Sequence, residues 1–412
     1  MFPPWLTPVL CWNAIQSLTG LTVTFTASDS RVRPLVAGLT ALLAYTLQRN
    51  IQTYFAATRP SGPLVAMCWV NVLNAFDLLV LSRASLEAQL AYRDAKLEKK
   101  DKTPRIGSPS LLAKLRFVLE LPYNYRRINT PWENPRLRTA SASTPQTQRK
   151  SKSTFLLHSL LTLVISGIII HLLTLDASDV HLQHALSKLN TSKSVLLPLR
   201  DFDAQNLLIQ ILFTLSFGLV TRAAIVGGHT AAALVAVALG DDPNSWPPIF
   251  ESLGEAKSLR GLWGKSWHQI LRTPLTSNAT FLASLLGLPP KSTGAHWLRV
   301  IIAFTGSGII HSLCDIGFGV PLDKTGGLHF YTLQIFGFGV ESVVAFFCRK
   351  TRKGFGIGFG RSVERAIGYI WVVGFMAWST PVWINPILVS LAGDGTRVMS
   401  PWLGLSPSAF AL

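Results

Sequence analysis

The chain alternates between long apolar runs and short polar, mostly basic connectors. Apolar runs occupy residues 5–26, 34–47, 63–82, 154–175, 206–238, 297–320, 330–347 and 366–392. A helix crossing a bilayer needs about 20 such residues. It is also the one open structure that satisfies all of its own backbone hydrogen bonds in hydrocarbon. The pattern therefore predicts an all-α, polytopic integral membrane protein with about eight or nine transmembrane helices. Run 34–47 is short enough to lie at the interface. Run 206–238 exceeds one span and holds Arg222 and a Gly227-Gly228 pair. It reads as two helices or as one helix plus a re-entrant piece. The first run has no basic flank and no small-residue cleavage site, so it is not read as a removable signal peptide.

Composition agrees. Of 412 residues, 49% are hydrophobic and 14% charged, against roughly 25% charged in soluble domains. Mean hydropathy is +0.34. Net charge is +17, which in a soluble chain would suggest nucleic acid. Here the charge gathers in connectors. Residues 83–152 carry 16 Lys and Arg against 6 Asp and Glu, 348–365 carry 6 against 1, and 176–203 carry 3 against 4. Basic connectors stay cytosolic. This puts 83–153 and 348–365 in the cytosol and 176–205 on the lumenal side. One crossing by each of runs 154–175, 206–238, 297–320 and 330–347 satisfies that arrangement. The expected partners are a lipid bilayer and a phosphorylated small molecule, with no nucleic acid.

Three regions follow: N-terminal transmembrane segments at 1–82, a basic cytosolic loop at 83–153, and a membrane core at 154–412. The loop contains TASASTPQTQRKSKST, the composition of a mobile linker. It also contains LPYNYRRINTPWENPRL, whose aromatics and turn residues suggest docking on the membrane face. Asn190 opens an Asn-Thr-Ser sequon in the connector assigned to the lumen, a candidate glycosylation site. The sequon at Asn278 adjoins a cytosolic segment and is expected to be unused. Cys11, Cys68, Cys314 and Cys348 lie far apart, with no CxxC pair. They support neither a disulfide framework nor a zinc site. GFGIGFG at 354–360 holds glycines near dinucleotide-loop spacing but follows no strand, and reads as flexibility.

Two histidines stand out. His311 lies inside the apolar run IIAFTGSGIIHSLCD. A polar group in hydrocarbon is costly without partners, so it marks either a functional site or a helix-to-helix hydrogen bond. Asp315 is one turn on, on the same helix face, and could hold the imidazole in one tautomer. The alternative is a carboxylate facing water at the span's end. His-x-x-x-Asp is also a spacing of soluble acyltransferases, but no DFGWG-like second motif accompanies it. His268 lies in SLRGLWGKSWHQILR, among Trp263, Trp267, Lys265 and Arg272. That composition also suits an interfacial aromatic belt. His181 and His184 lack further ligands, so no metal site is expected.

Several blocks, in order, resemble the wax-synthase-like branch of the membrane-bound O-acyltransferases, of the fungal secondary-metabolite acetyltransferase type. They are RRINTPWENP, WPPIF followed by SLRGLWGKSWHQILR, FTGSGIIH, HFYTLQIFGFGVES with Gln334 and Glu341, and IGYIWVVGFMAWSTPVWINP. The likeness covers roughly 120–392. Leu262-Trp263 replaces the family's Phe-Trp, and Lys265-Ser266 its two basic residues. Both histidines are kept.

The resemblance implies acyl transfer from acyl-CoA to an alcohol, with no bound cofactor. His311 would be the buried base and His268 its upstream partner. His268, with Trp267 or Gln269, would position substrate or donate to the developing oxyanion. Lys265, Arg260 and Arg272 would meet CoA phosphates or, equally, lipid headgroups. Cys314 is an alternative nucleophile. The fungal type implies acetyl-CoA, a hydroxylated terpenoid or meroterpenoid acceptor, and the endoplasmic reticulum. Long-chain acyl-CoA with fatty alcohols is the alternative. Arg222 inside an apolar run leaves a transporter open as a different class of protein.

Overall fold

The computed structural model describes residues 3–56, 58, 60–98, 109–133, 151–189, 204–355, 360–393, 395 and 397–401. Asn190, much of the basic linker and most of GFGIGFG lie outside them. The described chain is helical almost throughout. Its helices are α1 (Leu6–Phe25), α2 (Val32–Tyr54), α3 (Ser61–Phe76), α4 (Leu86–Glu98) and α5 (Leu111–Tyr123). There follow α6 (Lys152–Leu172), α7 (Val180–Ser187), α8 (Ala204–Ala238), α9 (Arg272–Leu285) and α10 (Thr293–Gly317). The last are α11 (Gly327–Phe355), α12 (Arg361–Ser379) and α13 (Pro381–Gly393).

Five stretches among the described residues are long and apolar enough to cross a membrane: Ser61–Leu81, Lys152–Leu172, Asn206–Ala238, Thr293–Gly317 and Leu322–Lys350. The pair Ser362–Ser379 and Pro381–Gly393, bent by 49°, makes a sixth if it counts as one span. This is fewer than the eight or nine expected. α1 and α2 are helices of spanning length, but neither meets the apolarity required. Asn13, Gln16 and several threonines dilute α1, and Arg33, Gln48, Arg49, Asn50 and Gln52 dilute α2. Run 34–47 is thus part of a longer helix, Val32–Tyr54, and not a short piece.

Run 206–238 resolves into one continuous helix of 35 residues. Its glycine pair does not break it. A methyl group on Gly227 would lie 3.5 Å from Ser166 Cβ, an ordinary contact, so α6 packs beside this helix without requiring a glycine there. The bend between α12 and α13 falls at Pro381. Proline lacks an N–H and clashes with the preceding turn, so it starts a new helix more readily than it continues one.

The chain clusters into two units, each with its own core. One comprises Met1–Ala56, Pro60–Gln146 and Ile270–Gly306, and the other Ala57–Arg59, Thr147–Gln269 and Ser307–Leu412. In the first, Val23, Ala37, Ala75, Leu78, Leu79, Phe117 and Leu121 form an apolar cluster. The RRINTPWENP block is built into this unit: Arg127 is fully buried and pairs with Asp77 at 2.8 Å. Arg33, also buried, donates to the carbonyls of Ala84 and Thr26 at 2.8 and 2.9 Å. In the second unit, α6 and α8 pack lengthwise. The strand Thr174–Leu175 pairs antiparallel with Val398–Met399, tying the end of α6 to residues after α13.

Candidate active site

All the site's principal residues lie in the second unit. Leu259–Gly261 forms one helical turn and Leu262–Ser266 a π turn. The Ser258 side chain caps the turn by accepting from Gly261 N–H. Glu341 of α11 accepts from the backbone N–H groups of Leu259 and Arg260, two donors that a helix start leaves unpaired. It also accepts from Trp371 Nε1 at 3.0 Å. Gln334, fully buried, accepts from Trp263 Nε1 at 3.1 Å and donates to Ser379 Oγ at 3.2 Å. These two polar residues of α11 hold the histidine-bearing segment onto the helices.

His311 sits between Tyr331 and Trp383, with ring centroids 4.6 and 5.0 Å away. Its Nδ1 lies 2.7 Å from the Ser307 carbonyl, one turn earlier. A carbonyl only accepts, so Nδ1 carries the proton. In the neutral imidazole Nε2 is then the free base, and it accepts from the Tyr331 hydroxyl at 3.2 Å. The tautomer is set by the helix's own backbone.

Asp315 does something other than the expected pairing with His311. One carboxylate oxygen accepts from Gly326 N–H and Gly327 N–H, both at 3.1 Å, and the other from Trp383 Nε1 at 2.8 Å. It is completely buried, so it does not face water either. Ser312 Oγ accepts from Leu328 N–H at 2.9 Å. Asp315 and Ser312 together cap the start of α11, where unpaired N–H groups and the helix dipole favour an anion. Glycine is required there: a methyl group on Gly327 would come within 2.6–3.0 Å of the His311 and Ser312 backbone and His311 Cβ. Asp315 thereby seats α11, which carries Tyr331, against His311.

Burial of His268, with a smaller electrostatic contribution from His311, lowers its pKa from 6.5 to about 4, keeping it neutral. Its ring packs against Phe250 and Trp267, at 5.8 and 5.7 Å. Its Nδ1 is buried with no hydrogen-bond partner among the described residues. Trp267 and Trp263 extend this cover, 5.8 Å apart, and Trp263 reaches Tyr331 at 5.7 Å.

The remaining expected residues have other neighbours. Gln269 turns inward and donates to the Trp267 and Trp263 carbonyls at 2.7 and 3.2 Å, fixing the loop's shape. Arg260 donates to Ser342 Oγ and the Phe338 carbonyl of α11. Lys265 pairs with Glu255 at 2.7 Å on an exposed face. Arg272 belongs to the other unit. Cys314 is buried. No cluster of His, Cys, Asp and Glu suited to a metal occurs among the described residues. Tyr331 and Trp383 were not singled out from sequence. The available signal for Tyr331 was its position three residues before Gln334 on an otherwise apolar helix face.

A helical membrane protein offering an imidazole with a free Nε2 and a second, buried histidine in the same unit has the parts of a proton-abstracting group-transfer site. Comparison with known proteins gives that site its class. The profile of the "Membrane bound O-acyl transferase family" matches residues 246–333, which include His268, His311 and Tyr331. Acetyltransferase aurG of Calcarisporium arbuscula is 27% identical over 383 residues, 89% of this chain and 90% of that protein. Acetyltransferase atnC of Arthrinium sp. is 29% identical, covering 87% of this chain and 80% of its own length. Acetyltransferase spyB of Aspergillus fumigatus is 25% identical, over 80% of this chain but only 56% of its own length. Residues 246–333 thus match the membrane bound O-acyl transferase family, and the similarity to these acetyltransferases along most of the chain marks it as an O-acyltransferase, with several helices long and apolar enough to cross a membrane. The transporter alternative gives way to this assignment.

Proposed function

We propose that the chain transfers an acetyl group from acetyl-CoA to a hydroxyl of a terpenoid or meroterpenoid, in secondary-metabolite biosynthesis at the endoplasmic reticulum. The observation that carries the chemistry is the His311 tautomer, proton on Nδ1 and lone pair on Nε2. The acetyl preference rests on the relatives, each named an acetyltransferase.

In the proposed reaction the acceptor hydroxyl takes the place of the Tyr331 hydroxyl at His311 Nε2. Nε2 removes the proton as the oxygen attacks the thioester carbonyl. The tetrahedral intermediate collapses with cleavage of the carbon–sulfur bond, and the proton on Nε2 passes to the departing CoA thiolate. Thiolate leaves readily, so no covalent enzyme intermediate is needed and Cys314 has no role. His268, held neutral, can donate one hydrogen bond to the developing oxyanion. The aromatic cover of Trp263, Trp267 and Phe250 suits a hydrophobic acceptor and keeps water from the thioester.

Microsomes containing the chain, given labelled acetyl-CoA and hydroxylated terpenoids, should form an acetylated product. Palmitoyl-CoA with fatty alcohols should be a poor pair. His311→Ala should lose at least about a hundredfold in rate, the low end for general-base catalysis, with membrane insertion retained. Wild-type turnover in His311→Ala would overturn the mechanism, and a preference for palmitoyl transfer would overturn the acetyl assignment.

A further inference from the structure

A cavity of about 430 Å³ opens between α6 and α8, beyond the Phe250 ring from His268. This is the size of a small-molecule pocket. Its lining includes Thr154, His158, Ser159 and Thr162 from α6, and Arg222, His229 and Thr230 from α8. Trp246, Pro248, Ile249 and Phe250 close one side. The lining contains no carboxylate. Arg222 lies over the Phe250 ring at 4.2 Å. Its Nη1 is buried with no hydrogen-bond acceptor among the described residues. Arg222 sits near the middle of α8, where a cation is costly and ordinarily marks a ligand path.

We propose that this cavity binds the phosphate end of an amphiphile, with Arg222 as its anchor. The guanidinium supplies directed donors matched to an oxyanion. The two histidines and four hydroxyls supply further polar partners. The apolar wall of Phe155, Val226, Ile249 and Phe250 suits the rest of an amphiphile. A phosphate here has two sources, the nucleotide of an acyl donor or a phospholipid headgroup. Only the first rests on the acyl-transfer reading.

The test measures binding, not turnover. Full-length protein in neutral detergent is titrated with CoA. In parallel, its thermal stabilisation by phosphatidic acid is compared with that by diacylglycerol. Losing a charged hydrogen bond weakens binding roughly 10- to 150-fold, so Arg222→Gln should lose that much affinity for one probe. Arg222→Lys should keep part of it. Loss confined to CoA identifies the nucleotide; loss confined to phosphatidic acid identifies the headgroup. Thr162→Phe, which narrows the cavity and leaves Arg222 in place, should weaken the same probe. Wild-type affinity for both probes in either Arg222→Gln or Thr162→Phe overturns the proposal. Arg222-dependent binding in a protein without acyl-transfer activity would overturn the catalytic reading alone.

Discussion

Replacing Asp315 with alanine separates two roles that a carboxylate one turn from His311 can have. If it oriented the imidazole, its loss would reduce turnover and leave the fold intact. The geometry assigns it to the start of α11. Asp315→Ala strands three buried donors: the N–H groups of Gly326 and Gly327 and Nε1 of Trp383. At about 1–3 kcal/mol for each unsatisfied buried group, the loss is about 3–9 kcal/mol, with the lower end applying where water enters. That is a large share of a typical total stability of roughly 5–15 kcal/mol. The measurement is thermal unfolding of purified protein in detergent, paired with acyl-transfer rates on the folded fraction. Asp315→Ala should unfold well below wild type. Asp315→Asn keeps one carbonyl oxygen for the glycine N–H groups and should recover part of the loss. Residual activity should fall through misplacement of Tyr331 and Trp383, both of which flank His311. An Asp315→Ala protein that melts at the wild-type temperature while turnover vanishes would refute this assignment.

Three further outcomes are expected. Gly327→Ala drives a methyl group into the His311 and Ser312 backbone; overpacking of this kind costs about 1–3 kcal/mol, and melting and turnover should drop together. Asp77→Ala leaves Arg127 charged and unpaired in the first unit's interior and should destabilise by about 3–5 kcal/mol, read by the same melt. For His268, a folded pKa lowered from 6.5 to about 4 means that the unfolded chain binds the extra proton more readily. Its contribution is complete above pH 6.5 and is lost as pH falls toward 4, so His268→Gln should lose less stability than wild type between about pH 7 and 4.5. An equal loss in both proteins would remove His268 as a source of the acid sensitivity.

Much of the architecture is legible in apolar run length, because a bilayer demands about 20 apolar residues in a self-bonded helix. The misread stretches show where that signal thins. Run 34–47 looked short because polar residues interrupt a helix that continues through them. Run 206–238 looked broken because paired glycines lower helix propensity, yet it forms one helix packed along α6. Both histidines are also legible, since an imidazole in an apolar run or a tryptophan-rich loop demands an explanation.

Read in one dimension, the chain was enough to say that it is helical and membrane-spanning and to single out His311 and His268 as candidates, because hydrophobic run length and costly polar residues are local properties. What each polar group touches was decided by packing. Sequence spacing places Asp315 one turn from His311, yet the start of α11 and Trp383 take its oxygens, because three buried donors meet there. Arg127, in a basic stretch read from sequence as docking on the membrane face, is instead buried in the first unit and paired with Asp77. The proton on His311 Nδ1 is set locally by the Ser307 carbonyl, but what Nε2 meets is a tertiary fact: Tyr331, 20 residues later, folds back to reach it.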